Sequence, residues 1–212
     1  MAPEAGTAPR IEWERIRVVG IDLMDTLIVD PFREALAEAT GERIEDLEGL
    51  VDRGAWPAFE LGEIDEEGYA ARYFLPGSGR TLDAARLRRA LFRRYRFVPG
   101  MRDLARAIAR VRPVHVLSNY SPWYEAIRER FELDLFASGH HPSYEVGARK
   151  PDPEYFLRVA RRIGVRPSAI LFVDDRERNV RGAASLGIPS LRFDSATQLR
   201  RDLRPLLRGA RG

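Results

Sequence analysis

Three short apolar runs, each ending in polar side chains, constrain the fold of this chain more than any other feature. They are Arg17-Val18-Val19-Gly20-Ile21-Asp22, Val114-His115-Val116-Leu117 leading into Ser118-Asn119, and Ala169-Ile170-Leu171-Phe172-Val173 leading into Asp174-Asp175. An unbroken apolar run of this length suits a strand buried on both faces of a parallel sheet. The pattern predicts strands over 17–22, 114–117, 169–173 and 190–193, with a weaker one over 135–138. Between them the apolar spacing turns helical, over 101–110, 122–131, 153–163, 179–186 and from 196 onward. Such alternation implies right-handed crossovers, so the expected fold class is α/β, a doubly wound parallel sheet. Sheets of this kind bind ligands beyond the C-terminal strand ends, near a topological switch point. Asp22, Ser118 and Asp174 would all lie there.

One stretch breaks the alternation. Residues 31–97 show helical segments over 32–39, 44–51, 56–61, 66–74 and 82–94, with Gly41, Gly54, Gly62 and Pro76-Gly77-Ser78-Gly79 as punctuation and no convincing strand. The expected organisation is a core of 11–30 and 98–212, a helical insertion of 31–97 and a flexible tail of 1–10. A chain of 212 residues is long enough to bury such a core. No apolar run approaches membrane-spanning length, and the tail lacks the apolar centre of a signal peptide. The expectation is a cytoplasmic monomer or homodimer that engages no membrane.

Of 35 basic residues only Lys150 is a lysine, and the chain has no cysteine. A compact ammonium among so many guanidinium groups marks a place where a planar fork would not fit, although a single surface lysine could also stand by chance. Without thiolates any metal must sit on oxygen or on the three histidines, which points to hard cations such as Mg²⁺. The basic run Arg86, Arg88, Arg89, Arg93, Arg94 and Arg96 could attract a polyanion, but it reads more simply as a solvated helix face. Neither zinc-finger spacing nor an RNA-binding aromatic motif accompanies it, so no nucleic acid partner is expected.

If Asp22 and Asp174 come from adjacent strands, two carboxylates about 4 Å apart repel by about 4 kcal/mol at an effective dielectric near 20. A hard divalent cation with oxygen ligands offsets that charge and also receives a phosphate group. Lys150 would add positive charge from the opposite side, and Ser118 a hydroxyl donor to a phosphoryl oxygen. Taken singly, Asp22 could cap a turn, Ser118-Asn119 could end a strand and Asp174-Asp175 could start a helix. Together they converge on one crevice and read as a pocket for phosphate and Mg²⁺.

Asp22-Leu23-Met24-Asp25-Thr26-Leu27, Leu117-Ser118-Asn119, Arg149-Lys150-Pro151-Asp152-Pro153 and residues 172–180 resemble the four ordered motifs of the haloacid-dehalogenase-like hydrolase superfamily. The resemblance implies a Rossmann-like core with 31–97 as an inserted cap. It also implies that Asp22 is the nucleophile, forming an aspartyl-phosphate, and a metal ligand. Ser118 and Lys150 would clamp the phosphoryl group. Asp174 would hold Mg²⁺ directly, Asp175 directly or through water, and Met24 through its main-chain carbonyl.

Met24 is also a departure, because phosphatases of this superfamily usually carry a second aspartate there as general acid and base. Losing a positioned acid costs about 10²–10⁴ in rate. Asp25 or a cap residue could substitute, or Asp25 could simply hold the turn. Dehalogenases of the superfamily also lack that aspartate, but they carry Ser and Asn where this chain has Asp174-Asp175. Asp30-Pro31-Phe32, residues 56–60, residues 62–67 and residues 119–124 are further similar to plant chloroplast flavin mononucleotide hydrolases, which makes flavin mononucleotide a candidate substrate. Asn119, Trp123 and Tyr124 are the expected substrate contacts, while Trp56 and Phe59 read as core. The function expected is Mg²⁺-dependent hydrolysis of a small phosphorylated metabolite, with a dehalogenase and a non-catalytic phosphate-binding protein as the alternatives.

Overall fold

The computed structural model describes residues 11–208, so the tail expected over 1–10 lies outside the described residues. Five strands, β1 Val18–Ile21, β2 Val114–Ser118, β3 Ala137–Pro142, β4 Ile170–Asp174 and β5 Ser190–Arg192, form one parallel sheet in the order β3-β2-β1-β4-β5. β1 is central and the chain leaves it in both directions, which creates the switch point. Every residue of β1 and β4 is buried, as expected for strands covered on both faces. Alternate side chains feed two cores. Val19, Ile21, Leu171 and Val173 join the larger cluster, while Ile170 and Phe172 join the smaller one with Tyr155, Phe156 and Ala183.

Five helices fill the insertion: α1 Phe32–Thr40, α2 Ile44–Leu47, α3 Ala55–Glu60, α4 Glu66–Arg72 and α5 Ala84–Arg94. Its two ends are tied together by Val29 N–H to the Arg96 carbonyl and Val98 N–H to the Leu27 carbonyl, both at 2.9 Å. The remaining helices belong to the sheet layer: α6 Met101–Ala109, α7 Tyr124–Arg130, α8 Ser143–Val146, α9 Pro153–Ile163, α10 Glu177–Ala184, α11 Ala196–Asp202 and α12 Arg204–Arg208. Local signals explain several boundaries. Asp152 caps α9 by accepting from Glu154 N–H, Pro153 occupies its first turn, and Gly164 closes it in the left-handed conformation. Ser195 and Gln198 form a reciprocal capping box on α11.

Two expectations shift. The strand expected over 135–138 runs instead over Ala137–Pro142, because Leu133–Leu135 closes into a 3₁₀ turn and the pairing skips Ser138 and continues through Gly139, His140 and His141. The helix expected over 44–51 stops at Leu47, and Val51 instead bridges Phe74 across the insertion. On α5, Arg88 pairs with Glu66, and Arg93 and Arg94 pair with Glu38, so these arginines cover a solvated face. Among the described residues no helix is long and apolar enough to cross a membrane.

Candidate active site

The register Ile21↔Val173 places Asp22 level with Asp174 at the C-terminal ends of adjacent strands. Lys150 enters between them. Its Nζ donates to Asp22 Oδ1 at 2.6 Å, Asp174 Oδ2 at 2.7 Å and the Leu117 carbonyl at 2.8 Å, and the side chain is buried. The lysine therefore bridges the two carboxylates instead of facing them from the far side. Three acceptors around one nitrogen suit an ammonium and not a guanidinium, which accounts for a lysine at this position.

The loop carrying Lys150 is fixed from two sides. Asn119 uses both ends of its amide, donating to the Lys150 carbonyl at 2.8 Å and accepting from the Lys150 N–H at 2.7 Å. Lys150-Pro151 is a cis peptide bond, and α10 packs against Pro151 through Gly182. A Cβ on Gly182 would lie 2.7 Å from the Pro151 carbonyl oxygen. Alanine gains up to about 1 kcal/mol inside a helix, whereas overpacking costs about 1–3 kcal/mol. With backbone as the obstacle the clash should win. Gly182→Ala is expected to lower the urea midpoint, and an unchanged or raised midpoint would show that Pro151 gives way at little cost.

Asp22, Asp174 and Asp175 each offer an oxygen within 4.8 Å of the others. Asp174 is the most fully engaged. Beyond Lys150, it accepts from Asn179 Nδ2 at 3.0 Å and from the Arg176 N–H at 2.8 Å. Burial pushes the Asp22 carboxyl up to about 8, with Lys150 opposing and Asp174 reinforcing. Burial and Asp174 likewise raise Asp175. For Lys150 burial acts downward, but Asp174 and Asp22 outweigh it and hold the ammonium above its ordinary range. Three carboxylates face one ammonium, and Asp175 Oδ1 is buried without a hydrogen-bond partner. An all-oxygen set with surplus negative charge and an unsatisfied oxygen fits a hard divalent cation.

Above the strand ends opens a cavity of about 410 Å³ shared by the sheet and the insertion. Asp22, Met24, Ser118, Asn119 and Lys150 line its floor, and Phe32, Trp56, Tyr73 and Tyr120 supply aromatic walls. Arg53, Arg149, Arg176 and Arg178 provide positive charge. Met24 thus adds no carboxyl to the cavity lining. Asp25 does not line the cavity. It sits in a left-handed turn (φ 58°) with its Oδ1 accepting the Asp30 N–H at 3.0 Å, the turn-holding role weighed from sequence.

Two expected substrate contacts require correction. Trp123 does not reach this cavity, because it packs against Phe59 and Tyr69 and donates its indole N–H to Glu66 at 2.7 Å. Tyr124 is fully buried and bonds His140. Trp56, expected in the core, is half-buried and lines the cavity, while Phe59 is core as expected. His115 and His141 stack with ring nitrogens 2.9 Å apart on β2 and β3, outside the cavity lining. Asn179 and Glu60 join the site as well. Asn179 lies within the fourth motif quoted above, but Glu60 offers no local signal because its partner Arg149 is distant in sequence.

Comparison with known proteins matches this arrangement. A family model described as haloacid dehalogenase-like hydrolase matches residues 16–187. The chain is 33% identical to the chloroplastic flavin mononucleotide hydrolase 1 of Arabidopsis thaliana over 193 residues, covering 91% of this chain and 78% of the relative. A sesquiterpene phosphatase of Aspergillus oryzae is 28% identical, covering 77% of this chain and 85% of the relative. A predicted HAD-like hydrolase from Porphyromonas gingivalis superposes with a TM-score of 0.74 at 25% identity, covering 90% of this chain and 98% of that one. A HAD-family enzyme from Bacteroides thetaiotaomicron, solved with magnesium and inorganic phosphate, superposes at 0.70 with 22% identity, covering 85% and 95%. The parallel sheet, the four motifs gathered beyond its C-terminal edge and these matches agree: the chain belongs to the haloacid dehalogenase-like hydrolases.

Proposed function

We propose that this protein is a phosphatase that hydrolyses a small phosphate monoester through an aspartyl-phosphate on Asp22, with flavin mononucleotide as the leading substrate. One observation carries the reading: the Lys150 ammonium is shared between Asp22 and Asp174 on the floor of a cavity walled by aromatics and arginines. Lys150 holds Asp22 Oδ1, and among the described residues no protein hydrogen bond engages Oδ2. Oδ2 is the oxygen that attacks phosphorus. Lys150 and the Ser118 hydroxyl then donate to phosphoryl oxygens as negative charge builds on them. Asn119 acts by fixing the lysine's backbone.

Asp22, Asp174, Asp175 and the Met24 carbonyl would hold Mg²⁺. The bound ion would supply positive charge that favours ionised Asp22 and polarises the phosphoryl group. The helical insertion serves as a cap. Its Phe32, Trp56 and Tyr73, with Tyr120 from the core, offer faces on which a flat heterocycle can stack. Support for flavin mononucleotide comes from these walls together with the 33% identity to the Arabidopsis hydrolase.

A panel of flavin mononucleotide, sugar phosphates, nucleotides and an aryl phosphate, each assayed with Mg²⁺ and with chelator, tests the reading. Phosphate release from flavin mononucleotide that chelator abolishes is expected. Preference for another ester would overturn the flavin assignment alone. Silence across the panel, with phosphate and Mg²⁺ still binding, would favour a binding protein, and chelator-resistant halide release from a 2-haloacid would favour a dehalogenase.

A further inference from the structure

With Met24 in the place of the second aspartate, ester cleavage has no obvious proton donor, and the cavity itself narrows the choice. Four carboxyl side chains line it: Asp22, Asp30, Asp52 and Glu60. Asp22 is engaged with Lys150. Asp52 accepts from the Gly54 N–H at 2.8 Å and from Arg72 at 3.2 Å, and these contacts hold it below the usual carboxylate range, in the form that has no proton to give. Glu60 is locked to Arg149 at 2.8 Å in a pair joining α3 to the Lys150 loop. Asp30 alone of the four has no cation within ion-pair distance among the described residues.

Asp30 is also well held. It stands where the first-strand loop enters the insertion, and its Oδ1 accepts the Phe32 N–H at 3.0 Å. Its own N–H is tied to Asp25, so the turn that Asp25 maintains aims Asp30 at the cavity. We propose that Asp30 is the general acid for ester cleavage and the general base for the second step, taking over the work of the aspartate absent at position 24. The proposal rests on the aspartyl-phosphate reading.

In the first step the bond from Asp22 Oδ2 to phosphorus forms and the phosphorus–ester oxygen bond breaks. The bonding pair goes to the ester oxygen, which takes the proton from the Asp30 carboxyl, and the alcohol leaves. In the second step the Asp30 carboxylate accepts a proton from water as the water oxygen bonds to phosphorus. The Asp22–phosphorus bond breaks with its pair returning to Asp22, and both carboxyl groups are restored.

The surroundings suit a group that alternates between the two forms. Burial and then the neighbouring Asp25 raise Asp30 to about 6, the Phe32 N–H and Arg176 act downward, and Glu34 on α1 adds a weak upward push. Tyr95, after α5, and Tyr120, after β2, share a hydrogen bond and face the same carboxyl as neutral phenols, held above their ordinary range by burial. A general acid–base group is most effective when its pKa lies near the working pH.

The test is Asp30→Asn, which keeps the acceptor for the Phe32 N–H, assayed over esters whose leaving groups run from acidic phenols to alkyl alcohols. For alkyl esters kcat/KM should fall by about 10²–10⁴. For the most acidic phenol, phosphorylation should stay near the unmodified rate and dephosphorylation should slow, giving a burst. In the unmodified enzyme, kcat/KM for alkyl esters should fall as pH rises through about 6, and this limb should be absent for the acidic phenol. That second measurement stands even if Asp30→Asn fails to fold. Equal loss for all leaving groups, no loss, or the same alkaline limb for every ester would overturn the proposal. Failure of the underlying reading would look different, because no phosphoenzyme would form in the unmodified protein with any ester.

Discussion

Asp22→Asn is expected to abolish phosphate release from every ester, by at least about 10³-fold, and to leave the fold intact. Removing a nucleophile from a set of groups that act as a unit costs nearly the whole of the catalysis they provide together. The effect on stability is small for a structural reason. Burial already works against an ionised Asp22, and Asp174 and Asp175 repel it. An amide of the same shape removes that repulsion. Lys150 keeps Asp174 and the Leu117 carbonyl as partners, so no buried charge is left alone. Steady-state rates and thermal unfolding on the same preparation check both halves. Residual activity near the unmodified level would remove Asp22 from the nucleophile's role.

Lys150→Met is expected to lose much of its stability as well as its activity. Among the described residues the ammonium is the one cation in contact with both Asp22 and Asp174, and all three groups are buried. Breaking a buried ion pair by removing one partner costs about 3–5 kcal/mol, because the other charge stays desolvated and unpaired. Here two carboxylates are left. They respond by holding protons more tightly in the folded state than in the unfolded chain, where Asp titrates near its ordinary value of about 3.9. A carboxyl whose folded pKa is raised in this way costs no stability at acid pH, and the cost grows as pH rises from that ordinary value through the raised one. The deficit of Lys150→Met is therefore expected to be smallest at acid pH, where the carboxyls are protonated in folded and unfolded chains alike, and largest at alkaline pH, above the value of about 8 that Asp22 already has with the lysine in place, read from urea unfolding across that range. A deficit independent of pH would mean that lost packing, not stranded charge, is responsible. Lys150→Arg should recover little, since a planar fork cannot place one nitrogen among three converging acceptors.

The groups on the site floor were legible because each is the last residue of an apolar run or a chemical exception in the composition. Asp22, Ser118 and Asp174 follow from the rule that parallel strands deliver their terminal side chains to one edge. Lys150 stood out as the lone lysine. Its role as a bridge between two acids was not legible, because it depends on how the cis-Pro151 loop and Gly182 set its depth. The aromatic walls were harder still. Trp56 and Trp123 both precede or begin short helices, and their ring centroids lie 6.3 Å apart in one cluster. Which of them faces the ligand depends on how α3 and α7 meet across the insertion, and periodicity within either helix carries no information about that. β3 was misplaced for a related reason: its pairing runs through Gly139, His140 and His141, whose pattern is not apolar. Asp30 carries no sequence signal beyond the resemblance, and its place in the cavity emerges from the fold.

Rapid acid quench during turnover of an aryl phosphate with Mg²⁺, followed by peptide mapping of the labelled protein, distinguishes an aspartyl-phosphate pathway from direct attack by water. The label is expected on the peptide containing Asp22, acid-stable and lost at alkaline pH as an acyl phosphate would be. Turnover with no labelled protein at any quench time, or label on another residue, would contradict phosphoryl transfer through Asp22.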